Sequence, residues 1–211
     1  MRAIVAACVI ALAGVAMVWA QGPQKPMSPT GTAAVQVQGK WTQDGRQFTA
    51  GRGTYSGGKW IELTYGRPIK RGRDVFGSGA NYGKDLLVGA PIWRAGANVS
   101  TQLTNEVPIT LGGKTVAPGT YTLFIDLKEH DWTLVVSTLK AQTTYDANNK
   151  TDVWGGYNYT PDKDVVRVKM KLETLPHAFE ELAWQFVDMT ATGGTLAIMW
   201  DKTLASVAFT S

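Results

Sequence analysis

Residues 165–172 read Val-Val-Arg-Val-Lys-Met-Lys-Leu, and this stretch is the clearest indicator of the fold. Apolar side chains occupy every second position from Val166 to Leu172, and Arg167, Lys169 and Lys171 alternate with them. Successive side chains of a β-strand point to opposite faces, so one face of this segment is expected to be buried. The segment is therefore predicted to be a half-buried β-strand.

Other segments have the same character along most of the chain. They are four to eight residues long and rich in β-forming residues, and they lie at 59–65, 120–127, 132–136, 195–200 and 204–209. Residues 179–189 fit either a helix or a strand, and the surrounding strands favour a strand. Residues 142–161 are rich in glycine and asparagine and are predicted to be a loop.

Glycine-containing pairs separate these runs, as expected for tight turns. They are Gly57-Gly58, Gly112-Gly113, Pro118-Gly119 and Gly193-Gly194. The chain has 23 glycines in 211 residues, and only 18% of its residues are charged. We therefore predict an all-β fold, an antiparallel β-sandwich or jelly-roll-like barrel of about ten short strands. Its tryptophans are expected to bridge two sheets in the core.

The first twenty residues have the layout of a secretory signal peptide. Arg2 precedes an apolar run, and Val18-Trp19-Ala20 is an A-x-A-like ending, so cleavage is expected before Gln21. A membrane anchor is the alternative, but the run is shorter than the roughly 20 apolar residues that a span needs. Cleavage would also remove Cys8, the only cysteine, leaving a cysteine-free mature chain without disulfides.

These features predict three parts: a signal peptide at 1–20, a disordered leader at 21–32 and a single β-sandwich domain at 33–211. The protein is expected to be periplasmic or secreted, with no stable membrane span after cleavage. Its formal net charge of +4 is small for a nucleic-acid-binding domain, so no nucleic-acid partner is predicted.

Several sequence blocks together resemble a bacterial family known as domain-of-unknown-function family 2911. The blocks are TYGRP at 64–68, KRGR at 70–73, WRAGAN at 93–98, APGTYTLF at 117–124, DWT at 131–133, WGGYNY at 154–159, DVVRV at 164–168 and WDKT at 200–203. Their order and spacing match from about Lys59 onward. The resemblance implies an exported β-rich domain, and it brings no established activity or catalytic residues.

Two of these blocks contain candidate ligand-binding residues. Arg67 and Arg73 flank an arginine-rich segment, and arginine can hold a carboxylate or phosphate through two parallel hydrogen bonds. Trp93, Arg94 and Asn98 combine an aromatic face, a cation and an amide, which suits a sugar or a small anion. The alternative for both blocks is structural, with arginines that bond backbone carbonyls and a tight turn after a strand.

Metal and cofactor chemistry have little support in the sequence. His130 and His177 are the only histidines, whereas a hydrolytic zinc site usually has two or three histidines and a carboxylate. His130 is expected in a solvated hairpin turn, and His177 at a strand joint. Neither a metal nor a cofactor is predicted.

Three functions remain open. The first is an exported non-catalytic module that binds a small polar or anionic ligand or an envelope component. The second is a periplasmic hydrolase or isomerase that uses His177, Glu180 or Asp85 with an arginine-anchored site. The third is a structural envelope protein.

Overall fold

The computed structural model describes residues 26–42 and 53–211, so the predicted signal peptide and residues 21–25 lie outside the described residues. The described part contains twelve β-strands, one α-helical turn and two short 3-10 helices. The strands are β1 (Thr30–Val37), β2 (Lys40–Thr42), β3 (Thr54–Ser56), β4 (Lys59–Gly66), β5 (Thr101–Asn105), β6 (Ile109–Leu111), β7 (Lys114–Val116), β8 (Gly119–Asp126), β9 (Thr133–Ser137), β10 (Asp164–Lys169), β11 (Lys171–Thr190) and β12 (Gly193–Thr210). The helices are α1 (Lys84–Leu87) and the 3-10 turns Gly79–Asn81 and Pro161–Lys163.

The strands form three antiparallel sheets. A six-stranded sheet has the order β1-β4-β5-β8-β9-β10, a four-stranded sheet has the order β11-β12-β6-β7, and β2 pairs with β3 alone. None of these sheets closes into a barrel within the described residues. The prediction of an antiparallel all-β fold is confirmed, and the architecture is sandwich-like. None of the described helices is long and apolar enough to span a membrane.

The predicted alternation determines which face of β4 is buried. Ile61, Leu63 and Tyr65 are all buried, whereas Glu62 and Thr64 between them are exposed. Burying a large apolar side chain contributes roughly 1.5–3 kcal/mol. A register shift of one residue would move all three into water, so this face fixes the pairing of β4 with β1 and β5.

An aromatic cluster joins the two larger sheets. Trp93 pairs through its backbone with Ile125 of β8, and Trp200 lies on β12, yet their rings stack with centroids 6.5 Å apart. Phe76 packs against both rings and against Trp132, at centroid distances of 5.1–6.3 Å. The predicted role of tryptophans in the core is thus confirmed for these residues, whereas Trp41 and Trp60 are exposed.

The six-stranded sheet is also covered on part of its outer face. Phe124 and Val135 point away from the sandwich interior and pack with Ile92 and Val153 in a second buried cluster. Val153 belongs to the predicted loop at 142–161, which contains no regular strand. This cluster anchors the loop to the sheet.

The predicted boundary between leader and domain is wrong at three residues. Thr30, Gly31 and Thr32 are part of β1, where they pair with Gly66, Tyr65 and Thr64. Gly31 occupies a buried position of the alternation, and a Cβ there would overlap the side chain of Arg67. Because glycine has no side chain, the sequence shows no alternation of apolar and polar residues from Thr30 to Thr32.

The strands near the end of the domain are longer than predicted. The segments predicted at 179–189, 195–200 and 204–209 belong to one hairpin of β11, with 20 residues, and β12, with 18. Register shifts between Thr174 and Ala183 let β11 continue through Pro176. Such bulges interrupt the side-chain alternation without ending the strand.

Two other sequence expectations change at this hairpin. The strand predicted at 165–172 is divided at Met170, because β10 joins the six-stranded sheet and β11 the four-stranded one. His177 lies within β11 and not at a strand joint. His130 does lie in the exposed turn between β8 and β9, as predicted.

We expect the free energy of unfolding to fall as the pH rises above about 10. Burial raises the pKa of Tyr82, whose hydroxyl accepts a hydrogen bond from Trp132 Nε1 at 2.7 Å. Burial and the hydrogen bond to Asp164 likewise raise the pKa of Tyr159. The folded state therefore holds these protons more tightly than the unfolded state. Their contribution is complete below the unfolded pKa near 10 and is lost as the pH rises through the folded-state pKa.

Urea unfolding at several pH values between 9 and 11 measures this slope. Tyr159→Phe removes one of the two hydroxyls and should make the slope shallower. Tyr145→Phe, which alters a ring that is 61% exposed, is the control. A slope in Tyr159→Phe equal to that of the wild type would contradict the assignment.

Candidate functional site

A cleft of about 460 Å³ opens beside the aromatic cluster, and we call it the arginine cleft. It contains four of the five predicted site residues: Arg73, Trp93, Arg94 and Asn98. Its other described lining residues are Met27, Ser28, Pro68, Ile69, Arg71, Asp85, Leu86, Val88, Gly96, Ala97 and Trp200. The two predicted motifs therefore meet in space.

The turn after Trp93 forms one wall of the arginine cleft. Ala95 and Asn98 have positive φ angles of 53° and 60°, which reverse the chain within a few residues. The Ala95 carbonyl accepts hydrogen bonds from Trp184 Nε1 at 2.9 Å and from Thr101 Oγ1 at 3.1 Å. Asn98 Nδ2 donates to the carbonyl of Ser28 at 3.3 Å. Core contacts thus hold this wall in place.

Trp93 differs from its predicted role as a stacking surface. Its side chain is only 1% exposed, and its ring packs against Phe76, Trp132 and Trp200. The ring is therefore a core residue at the floor of the arginine cleft.

Arg94 is held from two sides. Its NH1 donates to the carbonyl of Asn98 at 2.8 Å. Its guanidinium also packs on Gly155, where an added Cβ would lie 2.8 Å from Cζ. Burial lowers the pKa of Arg94, although arginine remains protonated in proteins. None of the described carboxylates lies within 4.0 Å of it.

The segment 69–73 brings two more guanidinium groups to the arginine cleft. Arg73 donates from Nε to the carbonyl of Lys70 at 2.9 Å and from NH2 to that of Ile69 at 2.6 Å. This arrangement leaves its NH1 without a described partner. Arg71 has a φ of 51°, and its backbone N–H donates to the carboxylate of Glu180. Its side chain makes no described hydrogen bond.

Arg67 is the one predicted site residue outside the lining of the arginine cleft. It forms an ion pair with Glu181 of β11. Other cations around the domain are similarly paired: Lys70 with Asp201 at 2.8 Å, and Arg167 with Asp126 and Asp164 at 2.7 and 3.0 Å. The arginines of the cleft thus differ from these cations in having no described carboxylate partner.

The residues considered for acid–base chemistry do not meet. Asp85 lines the arginine cleft, but His177 and Glu180 are exposed on β11 and are not among its described lining residues. The carboxylate of Glu180 accepts the backbone N–H of Arg71. Within 26–42 and 53–211, no three His, Cys, Asp or Glu side chains form a group that could hold a metal ion.

Sequence reasoning missed some residues of the arginine cleft. Arg71 lies in the KRGR block, but nothing local distinguishes it from Arg67. Trp200 comes from the WDKT block, and its position at this cleft depends on the pairing of β12. Leu86 and Val88 lie in and after α1, a single helical turn without a clear sequence signal.

Comparison with known proteins supports the family assignment. A family model described as "Protein of unknown function (DUF2911)" matches residues 49–209, which is more than half of the chain and includes most of the arginine cleft. No curated protein and no solved structure matches. The resemblance carried by the sequence blocks is confirmed: the chain belongs to the DUF2911 family.

Proposed function

We propose that this protein is an exported, non-catalytic β-sandwich that binds a small anionic ligand in the arginine cleft. The observation that carries the proposal is the set of three arginines in one cleft, Arg71, Arg73 and Arg94, without a described carboxylate partner within 4.0 Å. One carboxylate, Asp85, shares the lining. The described lining side chains therefore carry a net charge of +2, and the nearby carboxylate of Glu180 is engaged with the backbone N–H of Arg71.

Like charges gathered in a concave surface repel each other, and an anion relieves that repulsion. Guanidinium groups hold carboxylate and phosphate through charge-assisted hydrogen bonds that are roughly twice as strong as neutral ones. A cleft with one sign of charge also concentrates the field that attracts such a ligand. The apolar side chains of Leu86, Val88 and Ile69 would contact the remainder of the molecule.

The lining favours binding over catalysis. A hydrolase or isomerase needs a base within hydrogen-bonding reach of the reacting group, usually with a second titratable group to orient it. Asp85 is the single carboxylate among the described lining residues, and no histidine is among them. A structural role in the envelope is the remaining alternative.

A thermal-shift screen tests the proposal with inorganic phosphate, succinate and glucose 6-phosphate, each against sodium chloride at equal ionic strength. At a concentration about 100 times Kd, binding stabilises the native state by about 2.7 kcal/mol, which raises Tm by roughly 5 °C or more for a domain of this size. Arg94→Ala should lose this shift because a charge-assisted contact is removed.

Arg167→Ala is the matched control, because it removes an arginine that is paired with carboxylates outside the arginine cleft. Its ligand-induced shift should equal that of the wild type. The structural alternative predicts that no anion raises Tm. It also predicts that Arg94→Ala lowers the free energy of unfolding by about 1–3 kcal/mol, because the Asn98 carbonyl loses its donor. A full ligand shift in Arg94→Ala would also contradict the proposal.

Export rests on the amino-terminal sequence. The apolar run and Val18-Trp19-Ala20 support cleavage after Ala20 and release into the periplasm or medium. Mass spectrometry of the protein from its native host should find Gln21 at the amino terminus. An intact Met1 in the membrane fraction would contradict export.

A further inference from the structure

A second cleft, of about 420 Å³, lies in the loop that covers the outer face of the six-stranded sheet. We call it the loop cleft. Three aromatic side chains line it: Tyr145 is 61% exposed, Tyr157 is 39% exposed, and Trp154 is partly buried. The rings of Tyr145 and Trp154 lie 5.7 Å apart at an angle of 53°. They form an aromatic corner that is open to solvent.

The base of the loop cleft is cross-linked by hydrogen bonds. Gln142 is buried beneath it, accepts the backbone N–H of Asp146 at 2.8 Å and donates to the carbonyl of Asp152 at 3.1 Å. Asn149 Oδ1 accepts the backbone N–H groups of Thr151 and Asp152 at 3.1 and 2.9 Å. These bonds fix the backbone that carries Tyr145 and Trp154, and a backbone ordered before the ligand arrives lowers the entropic cost of binding.

The polar groups of the loop cleft are neutral or balanced in charge. Asp146 and Lys150 are its two charged lining residues among those described, and Lys150 Nζ already donates to the carbonyl of Ala147 at 2.5 Å. Asn149 and Asn158 add amide groups. The lining of the loop cleft thus lacks the net positive charge of the arginine cleft.

We propose that the loop cleft binds a neutral saccharide. A pyranose ring has an apolar C–H face and a rim of hydroxyl groups. Tyr145 and Trp154 offer aromatic faces for the C–H surface. Asp146 Oδ1 and Asn158 Nδ2 are bonded within the loop, so Asp146 Oδ2 and Asn158 Oδ1 are the acceptors that face the hydroxyls without a described partner. The balanced charge favours a neutral sugar over an anion.

The loop cleft adjoins the arginine cleft. Gly155 packs against Arg94, and Tyr157 donates its hydroxyl hydrogen to the carbonyl of Val88 at 2.5 Å, so one turn contacts both clefts. The saccharide proposal nevertheless rests on different side chains from the anion proposal. Arg71 lines the arginine cleft but not the loop cleft. The variant Arg71→Ala therefore distinguishes saccharide binding in the loop cleft from anion binding in the arginine cleft.

Native affinity electrophoresis of the full chain tests the proposal, with three soluble neutral polysaccharides in the gel: a glucan, a mannan and a galactan. At least one of them is expected to retard the wild-type protein. Tyr145→Ala should weaken that retardation roughly tenfold in Kd, because a stacking face is lost. Tyr145→Phe keeps the ring and should stay within about twofold of the wild type.

Trp41→Ala is the matched control. Trp41 is 70% exposed and pairs with Tyr55 at 5.4 Å and 57°, nearly the geometry of the aromatic corner, but it lies on the β2–β3 hairpin. Trp41→Ala and Arg71→Ala should both leave retardation unchanged. The proposal is overturned if none of the three polysaccharides retards the wild type, or if Tyr145→Ala is retarded as strongly as the wild type. Equal losses in Tyr145→Ala and Trp41→Ala would point to nonspecific aromatic adsorption and would overturn it too.

Discussion

Gly156→Ala is expected to destabilise the protein by about 3 kcal/mol or more, because the added methyl group has no space. Its Cβ would overlap the carbonyl oxygen of Ile92 and would lie 3.1 Å from Cβ of Ala90. Backbone atoms cannot rotate away as a flexible side chain can. The turn that contacts both clefts would have to move away from Ala90 and Ile92, and the urea midpoint should fall accordingly.

Gly119→Ala is the matched control for this change. Gly119 is the first residue of β8, and an added Cβ there would make an ordinary contact of 3.4 Å with the ring of Tyr121. Its free energy of unfolding should stay within about 1 kcal/mol of the wild type. Similar midpoints for Gly156→Ala and Gly119→Ala would show that the turn is looser than this close approach implies.

Trp184→Ala is expected to cost about 3–5 kcal/mol, the usual range when a large aromatic side chain is removed from a core. Trp184 is fully buried on β11, and its Nε1 donates to the Ala95 carbonyl at 2.9 Å. The substitution leaves a cavity between the sheets and also removes one of the two side-chain hydrogen bonds to the Ala95 carbonyl in the wall of the arginine cleft. Anion binding should therefore weaken even where the variant remains folded.

Equilibrium urea unfolding gives the stability change, with Trp41→Ala as the control. Trp41 is 70% exposed, so its removal should change the free energy of unfolding by no more than about 0.5 kcal/mol. Trp184→Phe keeps most of the ring volume but loses the indole N–H, and it should fall between the wild type and Trp184→Ala. Equal midpoints for the two alanine variants would contradict the assignment of Trp184 to the core.

The strands were predictable where burial follows a strict alternation, as in β4 with Ile61, Leu63 and Tyr65. Strand boundaries were predicted wrongly where backbone hydrogen bonds pair two strands without a regular alternation of buried side chains. Gly31 contributes no side chain to the pattern of β1, and the bulges near Pro176 disturb the pattern of β11. The period of apolar residues in a sequence reflects which side chains are buried. It therefore does not detect strand residues that pair through the backbone but lack an alternating pattern of buried side chains.

The sequence predicted which residue types would line the arginine cleft, but not which arginines would form ion pairs with carboxylates. Arg67 and Arg73 look alike in the sequence, yet Arg67 has Glu181 as a partner, from a strand that joins the site only through the fold. The loop cleft was missed for a related reason. Tyr145, Trp154 and Tyr157 lie in an irregular segment, where no period distinguishes an exposed ring from a core ring.

The four-stranded sheet combines neighbouring and distant parts of the chain, and this arrangement has a consequence for how the protein folds. β11 and β12 are joined by a short turn, whereas β12 reaches β6 only through the pairs Phe209–Leu111 and Thr210–Thr110. Hairpins of adjacent strands form in about 1–10 μs, but closing a long intervening loop carries a larger entropic cost. The hairpin is therefore expected to form early and the docking of β6 to complete the sandwich late. Substitutions of Ile109 or Leu111 should accordingly speed unfolding far more than they slow folding.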